Sequence, residues 1–303
     1  MKTLLIIGPT GIGKSDLALA LAKNFQGEIV NADSRQVYQD LQIGTGRPTD
    51  FENIPHHLYG TIPLSEKWDA HHFQQEAFQI VGEITGRRNL PIVVGGTGLY
   101  LKALLYGLFE SPPIPNEIRT HWERELVKTS STQLHEILKT IDPEKAFQIH
   151  PHDSVRVLRA LEIHTATGKT MSEWQKEHGF QKARLDYLKI GLTMDRELLY
   201  QKINTRVEVM IQQGLEEEAQ QLWKKPLQDR ERVNFENIIG YQEWIPYFEG
   251  KVSQQQVVEQ IQQNTRKYAK RQMTWFRQEK DIVWVPKDNL EEMSQKIYNW
   301  FNA

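Results

Sequence analysis

Short apolar runs alternate with segments of helical spacing over the first 110 residues. Residues 4–7, 28–31 and 91–94 are predicted strands, and the first and third runs are apolar throughout. Continuous apolar strands are typical of parallel sheets that are covered on both faces. The alternation therefore predicts an α/β fold, in which a parallel sheet is flanked by helices as in the phosphate-loop NTPases.

The pattern breaks where Pro112, Pro113 and Pro115 follow one another closely. From there to about residue 190 the chain is polar, with helical spacing and no clear strand. Residues 187–193 then predict a strand that returns to the sheet, Asp195 a helix N-cap, and residues 281–285 a last strand. We therefore predict a core domain from 1–111 and 193–303, with a helical insertion domain at 112–192.

Composition restricts the classes of protein that remain. The 303 residues carry a net charge of −2 and are 39% hydrophobic, values typical of a soluble globular protein without a bulk basic charge for nucleic acid. The absence of cysteine excludes disulfides, thiolate zinc sites and cysteine nucleophiles. The first residues form a core strand, and no apolar run reaches membrane-spanning length, so we expect a cytoplasmic protein.

A phosphate-loop motif, GPTGIGKS, joins the first strand to the following helix. Its residues are Gly8, Pro9, Thr10, Gly11, Ile12, Gly13, Lys14 and Ser15. In such loops the backbone N–H groups and the helix N-terminus bind phosphate, the lysine adds a positive charge, and the serine hydroxyl is a ligand for phosphate-bound Mg²⁺. The motif predicts a diphosphate or polyphosphate site, the alternative being a glycine-rich turn without a ligand.

The acid expected of an ATP hydrolase is missing after the strand at 91–94, where the chain continues with Gly95, Gly96, Thr97 and Gly98. Asp33 follows the strand at 28–31 instead. Since ligands bind beyond the carboxyl ends of parallel strands, we expect the phosphate loop, Asp33 and Thr97 to line one crevice. This favours group transfer, with Asp33 accepting a proton. Alternatively, Asp33 caps a turn and the glycines serve packing.

Several segments have the order and spacing of the bacterial tRNA dimethylallyltransferases, which the chain resembles over nearly its whole length. They are GPTGIGKS at 8–15, NADSRQVY at 31–38, GTGRP at 44–48, PHHL at 55–58, GGTGLY at 95–100, RALE at 159–162, IGY at 239–241 and TRKYAKRQMTW at 265–275. The chain differs from many relatives at Asn237, where they carry an arginine.

The resemblance implies that a dimethylallyl group passes from dimethylallyl diphosphate to the exocyclic amine of the adenosine 3′ of the anticodon, in tRNAs that read codons beginning with U. The loop would hold the diphosphate with Mg²⁺ on Ser15. Asp33 would accept the proton, Thr97 would bond near the amine, and Arg206 would reach the pyrophosphate. The bond that breaks would be on carbon rather than on phosphorus.

The target adenine must leave its stack, so the enzyme must hold the anticodon stem-loop. The tRNA-binding residues that the resemblance implies are Asp33, Ser34, Arg35, Gln36, Thr97, Arg119, Val155, Arg156, Val157, Leu158 and Arg159. Residues 264–280 add six basic residues against one acidic residue. Arg266 and Lys270, four positions apart, predict a basic helical stripe for phosphates, and the alternative is a solvated amphipathic helix.

Three other functions remain open at this stage. An adenylate isopentenyltransferase would act on free nucleotide, a small-molecule kinase would bind ATP at the same loop, and a non-catalytic RNA-binding NTPase would tolerate loss of Asp33. The insertion and the basic helix argue against a free-nucleotide acceptor. We expect a monomer without membrane attachment, and we expect the His56–His57 and His71–His72 pairs to serve loop packing or channel polarity rather than metal binding.

Overall fold

One parallel sheet organises the larger part of the molecule. The computed structural model describes residues 1–109, 113–178, 182–226 and 235–302. The strands are β1 (Lys2–Ile7), β2 (Gly27–Asn31), β3 (His56–His57), β4 (Leu90–Gly95), β5 (Asp186–Thr193) and β6 (Ile282–Pro286). Their order in the sheet is β3-β2-β4-β1-β5-β6, with every pair parallel. The predicted α/β fold and its strands are confirmed. The strand β3 was not predicted, since its two histidines were expected to serve loop packing or channel polarity.

The core strands are buried on both faces, as their apolar runs predicted. Every residue of β2 and β4 is buried. The neighbouring helices are α1 (Lys14–Phe25), α2 (Ala70–Gly86) and α3 (Gly98–Tyr106). The buried positions of α2 are Phe73, Ala77, Val81 and Ile84, a spacing of three to four residues that places them on one helix face. Burial of that face against the strands stabilises both elements.

The chain divides into two compact units, Met1–Leu105 with Arg184–Ala303, and Tyr106–Ala183. The helices of the second unit are α4 (Asn116–Lys128), α5 (Ser131–Ile141), α6 (Pro143–Gln148), α7 (Ser154–Thr167) and α8 (Met171–His178). The predicted insertion began at Pro112, which lies outside the described residues. Its predicted end at 192 differs from the structure, because β5 pairs with β1 from Asp186 onward and so belongs to the sheet.

The remaining helices of the first unit follow β5. They are α9 (Arg196–Gln212), α10 (Leu215–Trp223), α11 (Ile245–Phe248), α12 (Gln254–Phe276) and α13 (Leu290–Asn302). The predicted N-cap is confirmed, since Asp195 accepts hydrogen bonds from the N–H groups of Glu197 and Leu198 at 2.8 and 3.1 Å. Aromatic side chains between α10 and α12, among them the fully buried Tyr241 and Trp244, pack with α9 in a second apolar cluster.

Candidate active site

Three adjacent strands bring the predicted chemistry to one edge of the sheet. The phosphate loop follows β1, Asp33 follows β2, and Thr97 follows β4, which lies between the other two. Two cavities open at this edge of the sheet. The loop cavity, of 560 Å³, includes Lys14 and Ser15 in its walls. The helix cavity, of 520 Å³, includes Tyr268 and Arg271 from α12.

The two cavities share part of their walls. The residues that line both are Thr10, Gly11, Asp33, Thr45, Arg206 and Met210. An anion held by the phosphate loop and a group that enters through the helix cavity would therefore meet beside Asp33 and Arg206. This arrangement suits a reaction between two ligands rather than hydrolysis of one.

The phosphate loop leaves its lysine only partly compensated. Lys14 Nζ donates hydrogen bonds to the carbonyls of Gly8 and Pro9, each at 3.0 Å. Desolvation lowers the pKa of Lys14 to about 8; the charge of Asp33 opposes this shift and that of Arg206 adds to it. The side chain of Ile12 is buried in the core, so only its backbone is available to a ligand.

Asp33 caps a turn and also borders both cavities. Its Oδ1 accepts hydrogen bonds from the N–H groups of Arg35 and Gln36, at 2.8 and 3.3 Å, as the alternative interpretation of a turn cap expected. The backbone N–H of Asp33 in turn donates to Asn31 Oδ1 at 2.9 Å. These bonds fix the orientation of the carboxylate relative to the cavities, so the two interpretations are compatible.

Thr97 lies just after β4 and contacts the turn that carries Asp33. Its hydroxyl accepts a hydrogen bond from the N–H of Ser34 at 3.3 Å, which ties the end of β4 to the Asp33 turn. The described residues that line the two cavities include Asp33 but not Thr97. Thr97 is half-buried beside the Asp33 turn, and its expected place in the same crevice stays a prediction.

Arg206 reaches the site from α9. Its Nη2 donates to the carbonyls of Gly46 and Thr45, at 3.2 and 3.4 Å. Burial lowers the pKa of Arg206, and the charges of Asp33 and Asp16 oppose that shift. Among the residues that the structure describes, no carboxylate forms an ion pair with Arg206 or Lys14. Two cations without a paired anion favour an anionic ligand.

A carboxylate that the sequence analysis missed shapes the loop that faces Arg206. Glu218 on α10 accepts hydrogen bonds from the N–H groups of Ile43 and Gly44, at 2.9 and 3.0 Å, and from the Tyr241 hydroxyl at 2.6 Å. Glu218 stands in a run of three glutamates, a pattern that normally indicates a solvated helix face. The GTGRP segment at 44–48 and the Gly240–Tyr241 pair marked this neighbourhood in the sequence, but Glu218 itself did not stand out.

The residues predicted to bind tRNA near Asp33 lie in the cavity walls. Ser34 and Arg35 line the helix cavity, whereas Gln36 lines the loop cavity. The two residues of the predicted basic stripe on α12 differ in exposure. Lys270 is exposed, whereas Arg266 is half-buried and donates to Asn204 Oδ1 on α9. The alternative of an amphipathic helix thus describes part of α12 correctly.

In the second unit, some of the residues predicted to bind tRNA are exposed and others are buried. Asp153 caps α7 through the N–H of Arg156, and Val155 is 76% exposed. Arg156 and Arg159 extend from the exposed side of the helix, Leu158 is partly buried against the core, and Arg119 is half-buried in α4. The prediction is corrected for Val157, whose side chain is fully buried in the apolar core of this unit.

The histidine pairs have local partners. His57 Nε2 lies 2.7 Å from a carboxylate oxygen of Glu28, and His56 Nδ1 lies 2.7 Å from the carbonyl of Ile54. His72 Nδ1 lies 2.8 Å from Asp69 Oδ1. Within the described ranges, no group of three or more potential metal-binding side chains is present, and no helix is long and apolar enough to cross a membrane.

A parallel sheet with an anion-binding loop beside a carboxylate defines a group-transfer protein of the phosphate-loop class. A family model described as IPP transferase matches residues 36–279, and one described as isopentenyl transferase matches residues 1–55. The chain is 45% identical to a tRNA dimethylallyltransferase of Anoxybacillus flavithermus, over 93% of this chain and 89% of that one. The chain belongs to the IPP transferase family.

Solved structures agree with this assignment. A full-length tRNA isopentenylpyrophosphate transferase from Bacillus halodurans is 34% identical, with a TM-score of 0.73, and the match covers 99% of this chain and 97% of that one. A eukaryotic dimethylallyltransferase, solved in a study of its action on tRNA, is 32% identical with a TM-score of 0.81, covering 99% and 79%. The fold and the family assignment therefore rest on the whole chain.

Proposed function

We propose that the protein transfers the dimethylallyl group of dimethylallyl diphosphate to the exocyclic amine of the adenosine immediately 3′ of the anticodon of tRNA, releasing pyrophosphate. The observation that carries this proposal is that Asp33 and Arg206 border both the loop cavity and the helix cavity. A base and a cation are thus available where two ligands would meet. Relatives at 41–45% identity are named tRNA dimethylallyltransferases, which supports the same reaction.

The loop side of the site would bind the diphosphate. Negative charge grows on the leaving pyrophosphate as the bond between the allylic carbon and oxygen breaks. The N–H groups of the loop and the side chains of Lys14 and Arg206 would stabilise that charge. Because neither cation is paired with a carboxylate, both can pair with the phosphate oxygens without first losing an internal ion pair.

Mg²⁺ fits this side of the site. The hydroxyl of Ser15 borders the loop cavity, which also contains the Asp33 carboxylate, and both are the hard oxygen ligands that Mg²⁺ accepts beside phosphates and water. When bound, the ion would neutralise part of the diphosphate charge. Ser15 would hold it, while Lys14 and Arg206 would orient the diphosphate.

Asp33 would act as the base. The bond that forms joins the exocyclic nitrogen of adenine to the allylic carbon, and the proton that this nitrogen loses passes to the carboxylate. The Arg35 and Gln36 N–H groups hold Oδ1, which limits the positions that the carboxylate can adopt. Thr97 would act indirectly, through its hydrogen bond to the neighbouring Ser34.

The anticodon stem-loop would be held by surfaces outside the chemistry. We propose phosphate contacts for Lys270 and Arg271 on α12 and for Arg156 and Arg159 on α7, all of which are exposed or partly exposed. The protein would act as a monomer in the cytoplasm, where tRNA is modified, on tRNAs that read codons beginning with U.

Acceptor competition tests the proposal against its alternatives. Labelled dimethylallyl diphosphate is incubated with the protein in three separate reactions, which contain unmodified tRNA, AMP or no acceptor. A further reaction that contains ATP and tRNA is the control for kinase activity. We expect label on tRNA alone, at the adenosine 3′ of the anticodon. Transfer to AMP would indicate the free-nucleotide enzyme, and absence of transfer to tRNAs with adenosines beside the anticodon would refute the proposal.

The role of Asp33 is tested with Asp33→Ala and Asp33→Asn. Asparagine retains an acceptor for the Arg35 and Gln36 N–H groups but is not a base, so it separates proton transfer from turn capping. Both variants should bind tRNA with near-normal affinity and lose about 10²–10⁴-fold in turnover. Turnover of Asp33→Asn within a few fold of the wild type would show that the carboxylate is not the base.

A further inference from the structure

We propose that Gln272 on α12 is a positioning residue for the transfer: it holds the phosphate loop and the end of β4 at a fixed distance and so aligns the diphosphate with the Asp33 turn. This role rests on the proposed function. In addition to carrying exposed basic side chains, α12 would thus contact the phosphate loop directly through Gln272.

Both ends of the Gln272 amide are engaged across the fold. Oε1 accepts a hydrogen bond from the N–H of Thr10 at 2.8 Å, and Nε2 donates to the carbonyl of Gly96 at 3.0 Å. The residue is only 6% exposed and lies in the wall of the loop cavity. Loss of its amide would leave the Thr10 N–H and the Gly96 carbonyl without these hydrogen bonds.

The chemistry of this contact requires an amide. One end must accept from Thr10 and the other must donate to Gly96, and glutamine has both functions at the required reach. Glutamate keeps the acceptor but loses the donor, so an oxygen would face the Gly96 carbonyl. The backbone at Gly96 must also approach closely, because a Cβ at that position would overlap Gln272 Nε2.

The two contacts join the halves of the site. Thr10 borders both cavities on the loop side. Gly96 directly precedes Thr97, whose hydroxyl accepts from the N–H of Ser34 beside Asp33. Three hydrogen bonds and two peptide links thus connect the phosphate loop through Gln272 to Asp33, and they set the separation between the loop and the base.

The same face of α12 makes further contacts at this edge. Tyr268, four positions before Gln272, lines the helix cavity, and the indole of Trp275, three positions after it, lies against Gly98. Positions spaced in this way share a helix face. Lys270 and Arg271 lie exposed beside that face, so RNA held by those cations would be anchored to the same rigid element that fixes the loop.

Alignment of this kind affects rate more than affinity. A displacement of about 1 Å between reacting groups can cost about 10²-fold in rate. Lys14, Arg206 and the loop N–H groups other than that of Thr10 would remain available to pyrophosphate in a Gln272 variant, because none of them is a partner of Gln272. The expected signature is a loss of kcat with little change in diphosphate affinity.

The test compares Gln272→Glu and Gln272→Met with Gln255→Glu, which adds the same charge to an exposed position near the start of α12. Transfer to tRNA is measured well below the melting temperature of each protein, with KM for dimethylallyl diphosphate and Kd for pyrophosphate. We expect kcat to fall about 30-fold or more in both Gln272 variants, with pyrophosphate Kd within about threefold. The Gln255 variant should retain wild-type kcat.

Equal losses in kcat and pyrophosphate affinity, or kcat within threefold of the wild type, would overturn the proposal. Hydrogen exchange provides a readout independent of catalysis: the Thr10 amide should exchange faster in Gln272→Met than in Gln255→Glu. Unchanged exchange would also overturn it. A wild-type protein that does not modify tRNA would refute the proposed function, and the exchange result would still decide whether Gln272 holds the loop.

Discussion

Two groups of charged side chains at opposite ends of the same sheet differ in how their charges are compensated. Near the amino end of β2, the buried carboxylate of Glu28 accepts hydrogen bonds from Arg87 at 2.8 and 3.0 Å and from Asn89 at 2.8 Å, and it lies 2.7 Å from His57 Nε2. At the carboxyl ends of the strands, the partners of Lys14 and Arg206 within the described part of the chain are backbone carbonyls.

The pKa values of Glu28, Lys14 and Arg206 reflect this difference in compensation. Burial by itself would raise the pKa of Glu28, but the hydrogen bonds from Arg87, Asn89 and His57 outweigh it and lower the pKa to about 2. Burial lowers the pKa of Lys14 and of Arg206; the charge of Asp33 opposes both shifts without a hydrogen bond to either cation among the described residues. A compensated charge stabilises the fold, whereas an uncompensated cation at a ligand cavity is available for binding an anion.

The largest effect should come from removing an uncompensated cation. Arg206→Met should reduce transfer about 10²–10³-fold, the typical result of deleting one charge-stabilising donor. Its melting temperature should not fall, because the buried guanidinium has no carboxylate partner to leave behind. The matched variant, Arg87→Met, should show the reverse: near-normal kcat and a lower melting temperature. A destabilised Arg206 variant with normal kcat would contradict the comparison.

Removing the compensated carboxylate should change stability rather than catalysis. Glu28→Gln should lower the free energy of unfolding by about 2–3 kcal/mol at pH 7, because it breaks a buried, hydrogen-bonded ion pair. The lowered pKa of Glu28 means that its contribution is present above pH 4.5 and is lost as the pH falls towards 2.

Urea unfolding at pH 7 and at pH 3 measures this difference. The difference in the free energy of unfolding between the wild type and Glu28→Gln should be smaller at pH 3 than at pH 7. The kcat of the folded variant should stay close to that of the wild type. A gap that does not narrow in acid would show that Glu28 does not contribute through its charge.

A smaller effect is expected from the protonation of Lys14. Because its pKa is about 8 in the free protein, pyrophosphate binding should weaken above pH 8, approaching about tenfold per pH unit. Calorimetric titration from pH 7 to 9.5 measures the dependence, and Lys14→Gln corrects for protonation of pyrophosphate itself. The same pH dependence in both proteins would assign it to the ligand and not to Lys14.

Local sequence signals predicted much of the fold. The predicted bounds of β2, β4, β5 and β6 lie within one residue of those observed, whereas β1 begins two residues before its predicted start. The runs that predicted β1 and β4 are apolar throughout, as is typical of strands buried on both faces. The two-residue strand β3 was missed, because its His56 and His57 are polar and it is too short for a pattern. The end of the insertion was predicted too late, because pairing of β5 with β1 decides which unit that strand joins.

Site residues that lie within one short motif could be predicted from the sequence. Site residues that come together from distant segments of the chain could not. GPTGIGKS and the turn after β2 identified Lys14 and Asp33. Gln272 contacts Thr10 of the phosphate loop from 262 residues away, and Glu218 contacts Gly44 from 174 residues away. In sequence both resemble ordinary polar helix residues. Val157 was misassigned because a helix motif shows spacing but not which side faces the core.

The sequence by itself determined the sheet, the phosphate loop, the acid after β2 and the family, because each depends on short-range order along the chain. The tertiary structure was needed to place Asp33 and Arg206 at both cavities, to join the Thr97 hydroxyl to the Asp33 turn, and to connect the phosphate loop through Gln272 to the end of β4. The physical reason is that hydrogen bonds and burial depend on distances in space, which separation along the chain does not specify.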